Sequence, residues 1–176
     1  TGMTLEGFEM SEQQLEKYKE LKSLNNGVWE ARSYRDKVMY ENLRDQLEND
    51  FKKEKVIIWG HNAHIMRKTS PGSFRAKVMG EFLADFYGDQ IYSIGQYVGS
   101  GEIEHMPGDI RTLEALDGYL EKYIVENVVD IEVYENLDLG IFNNPVFNLF
   151  CGKVPEQITL SNHFDALILH RKGSAP

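Results

Sequence analysis

Gly60, His61, Asn62, Ala63 and His64 place two imidazoles three residues apart with an amide between them, directly after the short apolar run Val56, Ile57, Ile58, Trp59. Imidazole carries protons near neutral pH, so this spacing offers proton donors and acceptors within a single turn of chain. His61 can donate a proton to a reacting oxygen or accept one from it. Asn62 can hold an imidazole tautomer or an oxyanion, and His64 can orient water or substrate. The competing reading is a pair of loop histidines tied to backbone carbonyls. Position favours chemistry, because open α/β sheets gather ligands beyond the carboxyl ends of their strands.

The other reactive groups say less. Imidazole is a common zinc ligand, which makes a metal-binding module on His61 and His64 an alternative. A usual site needs a third protein ligand, and neither His105, His163 nor any carboxylate stands at a diagnostic spacing. The reading therefore expects neither metal nor cofactor. No Gly-x-Ser-x-Gly elbow surrounds Ser73, Ser93, Ser100 or Ser161, which argues against a serine acyl-enzyme. Gly95, Gly99 and Gly101 fit neither dinucleotide nor phosphate-loop spacing and read as tight turns. Cys151 lacks a histidine at a nucleophile's spacing and reads as a small packed residue.

Elements that would position the histidine turn follow from periodicity. Leu15, Tyr18, Leu21 and Leu24 form a narrow helical stripe after a Ser11 cap, and Asn25, Asn26 and Gly27 supply a stop. Trp29 to Phe51 resumes the helical pattern as the longest helix. Val56 to Trp59 reads as a strand buried on both faces of a parallel sheet. Pro71 and Gly72 break the next loop, and Phe74 to Phe86 reads as a helix ending before Gly88. Ile91 to Val98 predicts a second strand, then a Gly- and Pro-containing loop, a helix from Thr112 to Ile124, a third strand at Val128 to Tyr134, and a final strand at Phe164 to His170. Residues 136–159 read as irregular or partly extended. The βαβαβ order predicts a three-layer α/β fold, a mostly parallel β-sheet flanked by helices.

Bulk composition narrows the function classes. The chain has 176 residues, with 41% hydrophobic and 27% charged, the balance of an ordinary globular protein. Its net charge of -9 argues against nucleic acid and anionic membranes as partners. A lone cysteine makes no internal disulfide. Apolar runs fall far short of the ~20 residues needed to cross a bilayer. The expectation is a soluble chain, the cytoplasm favoured, with residues 1–10 a flexible lead or cloning remnant and 11–176 a single α/β domain.

Several ordered motifs together resemble the erythromycin esterase family. Tyr34 to Asn42 is similar to the family's Arg-Asp-x-x-Met-x-Glu-Asn helix, and Lys55 to Ile65 to its strand and His-Asn-x-His loop. Met79, Gly80, Leu83, Tyr87, Gly88, Ile94 and Gly95 match the next helix and strand, and Phe164 to Leu167 resembles the closing strand. The resemblance implies a hydrolase in which histidine activates water against a macrolactone-type or other carboxylic ester, with involvement in polysaccharide biosynthesis attached to other members. It implies catalytic or substrate-orienting roles for His61 and His64 and substrate binding by Asn62 and Arg35, whose guanidinium can hold a carboxylate or developing oxyanion. A surface ion pair is the competing reading for Arg35.

One departure stands out. The family's general base lies in a Gly-Glu-x-x-His-Gly motif well upstream of the Arg-Asp-x-x-Met helix, and only about thirty residues precede Arg35 here. Gly101, Glu102, Ile103, Glu104 and His105 copy it superficially, but in the wrong order and with Met106 in place of glycine. The copy reads as coincidence. The chain is accordingly expected to be the C-terminal part of a larger hydrolase acting on a small-molecule ester, with self-association through surface that an N-terminal half would cover. The remaining alternative is a noncatalytic portion that binds a ligand or partner without turnover.

Overall fold

Ser11 closes a capping box: its hydroxyl accepts from Gln14 N–H at 3.3 Å, and the Gln14 side chain accepts from Ser11 N–H at 2.8 Å. The helix it starts, α1 (Glu12–Ser23), buries no residue along its length, as its narrow apolar stripe predicts. The computed structural model describes residues 10–24, 27–69, 76–106, 108–138, 140–150 and 154–173. Asn25, Asn26, Pro71, Gly72, Phe74 and Cys151 lie outside them. Two compact units divide the chain, Thr1–Ile91 and Tyr92–Pro176.

The first unit is built on α2 (Val28–Asn49), a 22-residue helix. Its buried Met39, Tyr40 and Leu43 pack with Met79 and Leu83 of α4 (Met79–Tyr87). The Tyr40 ring stacks on Phe82 at 5.6 Å, and the Arg44 guanidinium lies 5.4 Å from the ring centres of both Tyr40 and Phe86. Burial of such side chains stabilises the unit by roughly 2 kcal/mol each. Ser33 Oγ donates to the Lys77 carbonyl at 3.0 Å, and Glu81 accepts from Thr69 N–H and hydroxyl at 3.1 and 2.6 Å. These bonds fix the chain that leads into α4.

Between α2 and α4 the apolar run Val56 to Trp59 does not become the expected doubly buried strand. Ile58 reaches the core, whereas Ile57 is 77% and Trp59 69% exposed. The residues alternate in and out, because one side of the run packs on the unit's core and no described residue covers the other. A one-turn helix, α3 (Asn62–Ile65), follows.

The second unit centres on a four-stranded sheet of β1 (Ile94–Met106), β2 (Asp109–Leu113), β3 (Ile131–Tyr134) and β6 (Ala166–Gly173), in the order β2-β1-β6-β3. Only β1 and β6 run parallel, from Ile94 opposite Ala166 to Gly101 opposite Gly173. β1 with β2 and β3 with β6 are antiparallel, so the sheet is mixed and the mostly parallel arrangement expected from βαβαβ alternation is not found. For β1 and β2 the reason is local: residues 107 and 108 are too few for a crossover, so β2 can only fold back on β1 as a hairpin. The Phe164 to Leu167 motif sets the parallel pairing. Asp165 accepts from Ser93 N–H at 2.7 Å, while the N–H groups of Asp165 and Ala166 donate to the Ser93 carbonyl at 2.8 and 3.2 Å.

α5 (Leu120–Asn127) covers one face of this sheet. A Cβ on Gly99 would stand 2.9 Å from Ile124 Cγ2 and 3.0 Å from Val125 Cγ2, so this glycine serves close helix-to-strand approach. Gly95, Gly99 and Gly101 therefore belong to a strand, not to the turns anticipated for them. The helix also starts later than expected: Thr112 lies in β2, and Tyr119, just before α5, is bridged to Phe147 in extended conformation. Pairing with a distant segment overrides the local helical pattern. Within residues 136–159, β4 (Val146–Phe150) and β5 (Val154–Ile158) form a separate antiparallel hairpin.

Candidate functional site

All four residues singled out by the sequence lie in the first unit, on α2 and on the turn that becomes α3. His61 occupies the N-cap of α3, where its Nδ1 accepts from the Ala63 N–H at 3.1 Å. This is the cap position of a short polar acceptor, filled by an imidazole. Asn62 begins the helix and its carbonyl accepts from Met66 N–H at 3.1 Å. His64, one turn on, points back toward α2.

There it meets a carboxylate that motif reasoning did not single out. Asp36 is 2% exposed, and its Oδ2 stands 2.8 Å from His64 Nδ1. The same oxygen accepts from Met79 N–H at 3.2 Å. Its other oxygen takes the Nε and Nη2 donors of Arg35 at 3.3 and 3.1 Å. Arg35 Nη2 in turn lies 3.3 Å from His64 Nε2. The structure thus brings Arg35 and His64 together through Asp36, with His61 and Asn62 in the same turn.

Each contact has a local cause. Asp36, Met39, Tyr40 and Leu43 follow the i, i+3, i+4, i+7 spacing of one helix face, so the carboxylate stands on the stripe that enters the core. A charge there requires donors. Val78, the N-cap of α4, supplies no side-chain cap, and Asp36 takes over that function from another helix, placing negative charge at the helix's positive end. Gly80 lets α4 close on the histidine turn: a Cβ there would lie 2.5 Å from the carbonyl oxygens of Ile65 and Met66. The signal for Asp36 was present in the sequence, as the acid of the Arg-Asp-x-x-Met motif and as a lone acid on an apolar stripe.

The arrangement can hold an imidazole in a set orientation beside a guanidinium whose side chain is 39% exposed. That combination suits recognition of a carbonyl or carboxylate oxygen and transfer of a proton near it. Among the described residues no group of three or more His, Cys, Asp or Glu side chains could hold a metal ion. Residues 101–105, the superficial copy of the family's base motif, belong to β1 in the second unit.

Comparison with known proteins extends this description. The model of the erythromycin esterase family matches residues 6–172. A Bacillus cereus protein of known crystal structure is 25% identical, with a TM-score of 0.70 over 92% of this chain and 43% of its own. A succinoglycan biosynthesis protein is 18% identical, with a TM-score of 0.73 over 91% of this chain and 43% of its own. The erythromycin esterase EreC, as a histidine-to-asparagine mutant in its open conformation, is 17% identical, with a TM-score of 0.55 over 93% of this chain and 41% of its own. The latter two likenesses carry the fold alone. The chain spans less than half the length of each of these three structures. No curated protein matches it.

Proposed function

The chain belongs to the erythromycin esterase family, and we propose that it supplies the His-Asn-x-His side of the cleft of a carboxylic ester hydrolase that uses water as nucleophile. The observation that carries this reading is His64 held between the buried Asp36 and Arg35, an imidazole oriented for proton chemistry beside a donor for oxygen. In this reading His61 and His64 act on the reacting ester, while Arg35 and Asn62 bind its oxygens. The base that activates water belongs to a Gly-Glu-x-x-His-Gly motif, which these 176 residues do not contain. The substrate class proposed is a small-molecule ester of the macrolactone type, with macrolide resistance as the consequence in a cell.

The test is hydrolysis of a macrolide and of simple activated esters, read by mass spectrometry as addition of one water. This chain is assayed beside a version carrying the family's Gly-Glu-x-x-His-Gly segment. Activity confined to the longer form is expected, and His61→Ala in that form should lower kcat on the order of 100-fold or more with little change in KM. Turnover by the 176 residues alone would overturn the split site, and an unchanged rate in His61→Ala would remove that residue from the chemistry.

A further inference from the structure

A guanidinium has donors and no acceptor. Because Arg35 Nη2 lies 3.3 Å from His64 Nε2, that ring nitrogen must accept and carries no proton. The proton of His64 is then on Nδ1, directed at Asp36 Oδ2. His61 is arranged the other way round. Its Nδ1 accepts from Ala63 N–H, which leaves the proton of the neutral ring on Nε2.

We infer that the turn holds its two imidazoles as opposite tautomers, and that Asp36 is the positioning residue that makes His64 a hydrogen-bond acceptor at Nε2 while His61 presents a donor. Asp36 is suited to this because its own orientation is over-determined. Oδ1 is held by Arg35 and Oδ2 by the first N–H of α4, so the carboxylate cannot rotate to follow the ring. An acid that holds an imidazole Nδ1–H in this way sets both tautomer and direction of the far nitrogen. The part this plays in catalysis rests on the hydrolase reading. There a water or substrate hydroxyl donates to His64 Nε2 in place of Arg35, and an ester oxygen accepts from His61 Nε2.

The experiment is a two-bond proton–nitrogen correlation spectrum of the isotope-labelled 176-residue chain at alkaline pH, where tautomers are read directly. His64 is expected to show a protonated Nδ1 and an unprotonated Nε2, and His61 the reverse. Finding both rings with the proton on Nε2, the form unconstrained histidine favours, overturns the inference. In Asp36→Asn the Nδ1–H signature of His64 should be lost while that of His61 persists; its retention would remove Asp36 from the role. Should Asp36→Asn fail to fold, Arg35→Ala takes its place: His64 should keep its Nδ1 proton, and a switch to Nε2 would assign the tautomer to Arg35 and overturn the inference. The readout is independent of turnover. Opposite tautomers in a protein whose longer form cleaves no ester would sink the hydrolase reading and leave this one standing, and the converse result would do the reverse.

Discussion

Asp36 Oδ2 and His64 Nδ1 lie 2.8 Å apart across 28 residues of chain, and the same oxygen holds the first N–H of α4. One buried carboxylate therefore joins three segments: the long helix that carries it, the histidine turn and the helix that packs behind that turn. Structure and candidate chemistry depend on the same atoms.

Replacing Asp36 by Ala leaves donors from three residues, Arg35, His64 and Met79, without their acceptor in or near the core. The loss should be about 2–4 kcal/mol, with the contribution of half-exposed Arg35 the smallest part. Urea unfolding of wild type and variant measures it. A difference below about 1 kcal/mol would mean that the carboxylate does not hold the three segments together.

Gly80→Ala should be more damaging than its size suggests. The added methyl meets backbone atoms of Ile65 and Met66 at 2.5 Å, and backbone cannot swing aside as a side chain can. A cost of about 2 kcal/mol or more is expected, together with a changed His64 signal, because α4 would be pushed off the turn. A variant with wild-type thermal stability and an unaltered His64 spectrum would contradict the packing described.

Tyr134 gives a pH signature in the second unit. Its hydroxyl donates to Glu132 Oε2 at 2.6 Å, and this bond, with burial and the nearby carboxylate charge, pushes the phenol from 10.0 up to about 12. A raised value favours the neutral phenol in the folded state. The resulting stability is fully present below pH 10 and lost as pH rises through about 12. The ultraviolet phenolate titration of wild type minus Tyr134→Phe should show one tyrosine ionising in that upper range. A midpoint near 10 in the difference curve would refute the contact.

Exposed Ile57 and Trp59 are proposed to drive self-association, since two large apolar side chains project from one side of the same run. Sedimentation should show a mass that rises with concentration, and the double substitution Ile57→Thr, Trp59→Lys should abolish the rise. A wild-type chain that stays monomeric at high concentration would end this proposal.

Much of the first unit was legible in the residues. Ser11 announced the start of α1, the apolar spacing marked α2, and the ordered motifs around Arg35 and the histidine turn, with Phe164 to Leu167 of the second unit, pointed to the family that matches. The second unit was less so. Tyr119 reads locally as part of a helix and is held extended by Phe147, and Thr112 by its pairing with Glu102. Asp36 showed in sequence as the acid of the Arg-Asp-x-x-Met motif, given no role of its own, and nothing in its neighbours named His64 as its partner.

Local spacing by itself determined the start of α1, the course of α2, where the two imidazoles sit along the chain and which family the chain resembles, because caps, helical periodicity and short motifs act over a few residues. Tertiary structure alone decided that β6 pairs parallel with β1 and antiparallel with β3, that Trp59 faces outward and that Asp36, Arg35 and His64 share hydrogen bonds. Those outcomes depend on which distant segment supplies a donor, an acceptor or a covering face, and chain separation carries no record of that choice.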